Sequence, residues 1–114
     1  MTVFDDETEV ASLEPDMAAL AAIDVPGVVA TSPGDGDADF VSRFFAPRLG
    51  VPEDPVTGSA HCLLVPYWAE RLGKTELAAR QISRRGGILA CKLDGDRVEM
   101  AGRAAEYLRG TITV

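Results

Sequence analysis

The sequence predicts an α+β domain in which a curved, mixed but mostly antiparallel sheet wraps around a central helix. Three observations lead there. One long helical pattern runs through Ala60, Leu63, Leu64, Tyr67, Trp68 and Leu72, and its i, i+3, i+4, i+7, i+8 spacing lines one broad face. The last third of the chain breaks into short β-rich segments separated by Gly or Gly-Asp turns. At 114 residues the chain is a single domain, able to bury about two-thirds of its unfolded surface without metal or disulfide support.

The first helix lies within SLEPDMAALAAID, residues 12–24. Pro15 suits a first helical turn, where its missing N–H is no loss, and Asp16 favours the positive end of the dipole. Pro26-Gly27 stops it. VVATS, Val28 to Ser32, is a short β-branched strand. The polar SPGDGDAD that follows resembles the start of a calcium loop through Asp35, Asp37 and Asp39. Phe40 stands where such a loop needs glycine and Ala46 where it needs glutamate, so the segment reads as a hairpin-type turn. Asp39 to Pro47 is a strand with Phe40, Ser42 and Phe44 on one face and Val41, Arg43 and Phe45 on the other. On that second face Arg43 is either an edge-exposed charge or a buried one with an anionic partner.

The central helix spans Ser59 to Leu72. Gly73 is placed to end it in a left-handed cap, and Pro66 predicts a kink or irregular first turns. Cys62 is expected in its apolar face and His61 as a structural imidazole. Beyond it, QISRRGG (81–87), GILACKL (87–93), DRVEMAG (96–102) and AAEYLRGTITV (104–114) read as strands.

Composition narrows function. A formal net charge of −7 argues against nucleic acid, which needs clustered Lys and Arg; Arg80, Arg84 and Arg85 read as a solvated strand end. No apolar run approaches the ~20 residues of a membrane span, and the acidic opening MTVFDDETEV carries no signal-peptide core. The expectation is a cytoplasmic protein without a membrane partner. Two cysteines and one histidine are too few for a zinc site, and no metal is expected.

The stretch EDPVTGSAHC, Glu53 to Cys62, concentrates the chemistry. Asp54 before Pro55 is pushed toward extended backbone. Thr57 or Ser59 can cap the helix, and the N–H groups around Gly58, Ser59 and Ala60 then lack carbonyl partners. Orphan donors at the positive end of a dipole suit a carboxylate, with Asp54 beside them. General-acid work near neutrality asks a carboxyl to hold its proton more tightly than in water, whereas a helix N-terminus acts in the opposite direction. Loop and cap chemistry alone is the competing reading. A hydrolytic triad is disfavoured, because Ser59 and His61 sit two apart on one helix and no G-x-S-x-G elbow occurs.

Taken together, RFFAPRLGVPEDPVTGSAHCLLVPYWAERLGK, QISRRGG and RVEMAGRA resemble the C-terminal half of PhzF-type isomerases of the phenazine biosynthesis-like family, related in fold to diaminopimelate epimerase. The likeness extends upstream through EPDMAALAAIDVPGVVATSPG. It implies one of two pseudo-symmetric halves, each a sheet around a helix, with the site between halves at the helix N-termini. By that resemblance Asp54 is the site carboxyl, Ser59 hydrogen-bonds substrate, and Thr57, Gly58 and Ala60 complete the binding turn, with no cofactor. The family's principal glutamate belongs to an N-terminal half absent from these 114 residues, and Glu53 does not replace it. Residues 1–114 are thus expected to act as a half-site for a small carboxylate-bearing substrate, completed as a homodimer or by a separate N-terminal-half chain. The rival expectation is a non-catalytic binding or dimerisation domain.

Overall fold

Helix α3, Gly58–Leu72, is the element around which the rest is arranged. It starts where Thr57 leaves extended backbone and stops at Gly73, whose φ of 67° is the left-handed cap that glycine allows without strain. Pro66 lies inside this helix, which nonetheless runs unbroken. The structure, a computed structural model, describes residues 1–113.

Among the described residues seven strands form one mixed sheet: β1 (Thr2–Val3), β2 (Val28–Pro33), β3 (Phe40–Ala46), β4 (Val51–Asp54), β5 (Glu76–Gln81), β6 (Gly87–Asp94) and β7 (Arg97–Ala101). Their order is β1-β2-β3-β5-β6-β7, with β4 on β3. The β1–β2 and β3–β5 pairs are parallel and the others antiparallel. One edge of β3 is shared, its first half pairing β5 and its second half β4. That sharing brings the end of the strand leading into α3 and the end of the strand that follows it together, end to end along β3.

The period of two expected in β3 holds. Phe40 and Phe44 pack toward α3 with Leu64, Val65, Trp68, Leu77 and Leu89. Val41 and Phe45 pack on the opposite face, beneath α1 (Glu7–Ala11) and α2 (Met17–Ala22). Trp68 stacks on Phe40 at 5.9 Å, and its indole N–H donates to Thr31 Oγ1 at 3.0 Å. The helices on the outer face stop at the ion pair of Arg80 with Glu7. Beyond it the outer face of β5–β6–β7 is uncovered, and Ile88 is 75% exposed.

Several expectations need correction. Helix α2 begins at Met17 with Asp16 as its cap, accepting from the N–H groups of Ala18 and Ala19; Pro15 precedes it. Short α1, capped by Asp6, had no sequence signal strong enough to be read. The buried face of α3 carries Ala60, His61, Leu64, Val65, Trp68 and Ala69, while Leu63, Leu72 and Cys62 are exposed. The stripe through residues 60, 64 and 68 has apolar neighbours on both flanks, so spacing alone could not say which flank meets the sheet. The strand expected in QISRRGG ends at Gln81 and starts earlier, at Glu76. Residues 104–113 form no strand, and Val114 of that segment lies outside the described residues. Among the described residues no helix is long and apolar enough to cross a membrane.

Arg43 takes the second of its two alternatives. Its Nε and Nη2 bind the Glu53 carboxylate at 2.7 and 3.1 Å. Nη1 donates to the carbonyls of Val10, Ala11 and Leu13, satisfying the C-terminal end of α1. The acidic turn is likewise structural: the Asp39 carboxylate accepts from the Ala78 N–H and pairs with Lys74. Burial raises the pKa of Asp39, but Lys74 and the Ala78 N–H outweigh it and hold the group below its usual value.

His61 is fully buried, with Nδ1 2.8 Å from the Thr57 carbonyl. A carbonyl only accepts, so Nδ1 carries the proton. Burial pushes the imidazole pKa down, the Thr57 bond opposing. An unfolded histidine protonates near 6.5 whereas the folded one resists, so its contribution to stability is complete above about pH 6.5 and is lost as pH falls toward the depressed folded value. Resistance of the chain to urea is expected to weaken as pH falls through this range, before carboxylates titrate. His61→Gln is expected to flatten that slope; parallel slopes for the two proteins would contradict it.

Candidate functional site

The turn Asp54-Pro55-Val56-Thr57 joins β4 to α3, and the end of β5 holds it. Gln81 is fully buried on the α3 side of the sheet. Its Oε1 accepts from the Thr57 N–H at 2.8 Å; its Nε2 donates to the Asp54 carbonyl at 2.7 Å and to Thr57 Oγ1 at 3.2 Å. Two residues on, Ser83 Oγ donates to the Pro55 carbonyl at 2.7 Å and accepts from the Gly86 N–H at 3.1 Å. Val56 seats on Gly87, where a Cβ would lie 2.2 Å from Val56 Cγ2. The two sequence blocks EDPVTGSAH and QISRRGG are therefore one structural unit.

Thr57 is the N-cap residue, yet its hydroxyl caps nothing in the helix. It donates instead to Asp54 Oδ2 at 2.5 Å. Two consequences follow. The Asp54 carboxylate is oriented, with Oδ1 lacking a protein partner among the described residues. The N–H groups of Gly58, Ser59 and Ala60, left over at the helix start, also meet no side-chain acceptor among those residues. Gly58 and Ser59 are exposed, Ala60 turns its methyl into the core, and nothing stands within 4 Å of where a Gly58 Cβ would be. Aligned amides at the positive end of a fifteen-residue helix can hold an anion.

The neighbours play other parts. Glu53 points away, into Arg43. His61 is buried while Ser59 is exposed, so the two do not form a nucleophile and base pair. Cys62 is exposed, and its Sγ reaches only the Gly58 carbonyl, at 4.0 Å. Cys91 is buried, and burial pushes its thiol up to about 11. Among the described residues no group of three or more His, Cys, Asp or Glu side chains is arranged to hold a metal.

Two open grooves flank the back of the turn. One of about 1200 Å³ runs past Val56, Arg80, Gln81, Gly87 and Ile88 to Arg103. Another of about 530 Å³ lies between Pro52, Glu53, Pro55 and the Ser83–Arg85 stretch. Neither is lined by Gly58, Ser59 or Ala60. Sequence reasoning missed Gln81 and Ser83. Their two-residue spacing on an extended segment, which directs both to one side, was the available signal.

Comparison with known proteins follows the same lines. The family model for phenazine biosynthesis-like proteins (PhzC–PhzF) matches residues 1–110. The chain is 53% identical over 112 residues to an uncharacterised isomerase of Pseudomonas aeruginosa, covering 98% of this chain and 42% of that protein. It is 50% identical over 95 residues to the human phenazine biosynthesis-like domain-containing protein, covering 78% of this chain and 33% of the relative. A crystal structure of a PhzF-family phenazine biosynthesis protein from Enterococcus faecalis superposes with a TM-score of 0.81 at 46% identity, over 93% of this chain and 43% of that one. A PhzC/PhzF protein from Clostridium difficile gives 0.86 at 44% identity, covering 98% and 43%. The fold is thus half of the diaminopimelate-epimerase type, and the chain spans about two-fifths of the length of these bacterial relatives.

The Gln81 network sets a stability expectation. Gln81→Leu strands the Thr57 N–H and the Asp54 carbonyl, and at about 1–3 kcal/mol for each buried unpaired group it is expected to cost about 2–6 kcal/mol. Gln81→Glu keeps an acceptor for Thr57 but sets a buried carboxylate against the Asp54 carbonyl, so at neutral pH it should cost at least as much. Denaturant unfolding measures both, and a Gln81→Leu protein as stable as the parent would contradict the assignment.

Proposed function

The chain belongs to the PhzC–PhzF family of phenazine biosynthesis-like proteins, and on that premise we propose that it is half of a cofactor-independent isomerase acting on a small carboxylate-bearing molecule. One observation carries the reading. The first-turn amides of α3 have no protein acceptor among the described residues, and the carboxylate beside them is held by Thr57 with one oxygen spare. Relatives in Pseudomonas aeruginosa are named isomerases, which supports the reaction class.

In this reading the substrate carboxylate rests on the N–H groups of Gly58, Ser59 and Ala60, and the Ser59 hydroxyl adds a further hydrogen bond. Asp54 Oδ1 takes a proton from a substrate carbon and returns it at another position, so atoms and charge balance without an external donor. The Thr57 hydroxyl stays on Oδ2 and keeps the acid aimed. The exposed helix start at Gly58 and Ser59 needs a wall to exclude water, and in this proposal a second copy of the chain or a separate N-terminal-half chain supplies it.

Proton exchange tests this directly. The chain is incubated in deuterated water with a panel of small carboxylates bearing an acidic C–H, and carbon-bound deuterium is followed by NMR. Asp54→Asn is expected to slow incorporation by about 10²-fold or more, the usual worth of a general acid–base group, while the melting transition stays close to the parent's. Equal incorporation by both proteins, at every chain concentration, would favour a non-catalytic binding domain.

A further inference from the structure

Three fully buried polar residues stand abreast on the α3 side of the sheet. Register sets Thr31 of β2 beside Ser42 of β3, and Ser42 beside Gln81 of β5. Both ends of this row are tied to the helix. Thr31 Oγ1 accepts from the Trp68 indole, and Gln81 holds Thr57 by its N–H and its hydroxyl. The middle is different. Ser42 Oγ has no hydrogen-bond partner among the described residues, and neither does Nε2 of the buried His61, one turn along α3 from Thr57. Phe40, two residues before Ser42 on the same face, brings its ring centroid within 6.0 Å of the imidazole. A further buried atom without a partner among those residues, Arg80 Nε, belongs to the opposite face of β5. Where two buried polar atoms of complementary kind go unserved in one layer, an enclosed water with about three partners is the usual remedy.

We infer that one enclosed water binds in this layer, donating to His61 Nε2 and to Gln81 Oε1 and accepting from the Ser42 hydroxyl. The polarities leave one assignment. The Nδ1 proton of His61 is committed to the Thr57 carbonyl, so Nε2 can only accept. Burial disfavours the imidazolium that would put a second proton on the ring. Gln81 Oε1 is also an acceptor, with a second lone pair beside the one that takes the Thr57 N–H. A water between two acceptors uses both its protons and then needs a donor. Thr31 has given its proton to the Val41 carbonyl, which leaves Ser42. The bonds close a ring that runs from the water to His61, from His61 to the Thr57 carbonyl, from the Thr57 N–H to Gln81, and back to the water. The Thr57 hydroxyl accepts from Gln81 Nε2 and donates to Asp54, so every polar group of Thr57 joins one network. Ser42, hydrogen-bonded to neither Thr57 nor Asp54, thereby becomes a positioning residue for the turn. The ring stands whether or not Asp54 moves protons.

His61 is the one histidine of the chain, so a long-range proton–nitrogen correlation spectrum of the whole labelled chain reads its ring without ambiguity. The parent is expected to carry the proton on Nδ1, with the Nε2 signal upfield of an unbonded acceptor nitrogen. Crystallographic density is expected about 2.7–3.2 Å from Ser42 Oγ, His61 Nε2 and Gln81 Oε1. Ser42→Ala should move the Nε2 signal toward the unbonded position while Nδ1 stays in place. It should also speed exchange of the Thr57 amide about fivefold or more, the worth of one hydrogen bond. The first two readings need only the parent, so they hold even if the variant fails to fold. A proton on Nε2, an unbonded Nε2 in the parent, a direct Ser42–His61 bond with no water between, or a Ser42→Ala chain matching the parent in both spectrum and Thr57 exchange would each overturn the inference.

Discussion

The carboxamide of Gln81 is the interaction on which the site depends. It is buried at the point where β5 passes the turn between β4 and α3, and it meets both polarities of that turn at once. A carbonyl and an N–H that would otherwise be stranded in the interior are satisfied by one side chain, which makes the turn's path a condition of folding rather than a choice among loop conformers. Because Gln81 occupies the Thr57 N–H, the turn cannot slide toward the helix. Because it supports the Thr57 hydroxyl, that hydroxyl can be given to Asp54.

This division of labour explains an otherwise poor helix start. A threonine at the cap position normally contributes about 1 kcal/mol by accepting from the first turn. Here it forgoes that bond and orients a carboxylate, leaving the amides of Gly58, Ser59 and Ala60 for something other than the protein. A helix fifteen residues long, anchored by Trp68, Leu64 and Val65 in the main core, tolerates the loss. Local stability has been exchanged for an unfilled set of donors and an oriented carboxylate.

Much of this was legible beforehand, and the failures have physical causes. The mixed sheet, the central helix, the glycine cap at Gly73 and the two faces of β3 follow from periodicity and punctuation, which are local. The orientation of α3 does not, because Leu63 and Tyr67 on one flank match Val65 and Ala69 on the other, and only the position of the sheet separates them. Cys62 was misplaced for the same reason. The spacing of Gln81 and Ser83 shows that they share a side but not what they support, because their partners lie more than twenty positions earlier in the chain. The strand-like residues 104–113 show the limit of propensity: composition can request pairing, but a partner edge or face must exist.

Arg43 joins regions that the primary structure keeps far apart. It binds the C-terminal end of the first helix and its exit through Val10, Ala11 and Leu13, and with the same guanidinium it fixes Glu53, the residue next to Asp54. The opening stretch is thereby a mechanical brace for the turn from Asp54 to Thr57 rather than an appendage to it. Trimming it to make a shorter scaffold would slacken the aspartate from behind, so the smallest transplantable unit that keeps this turn in place has to include the first thirteen residues along with the helix and its clamp.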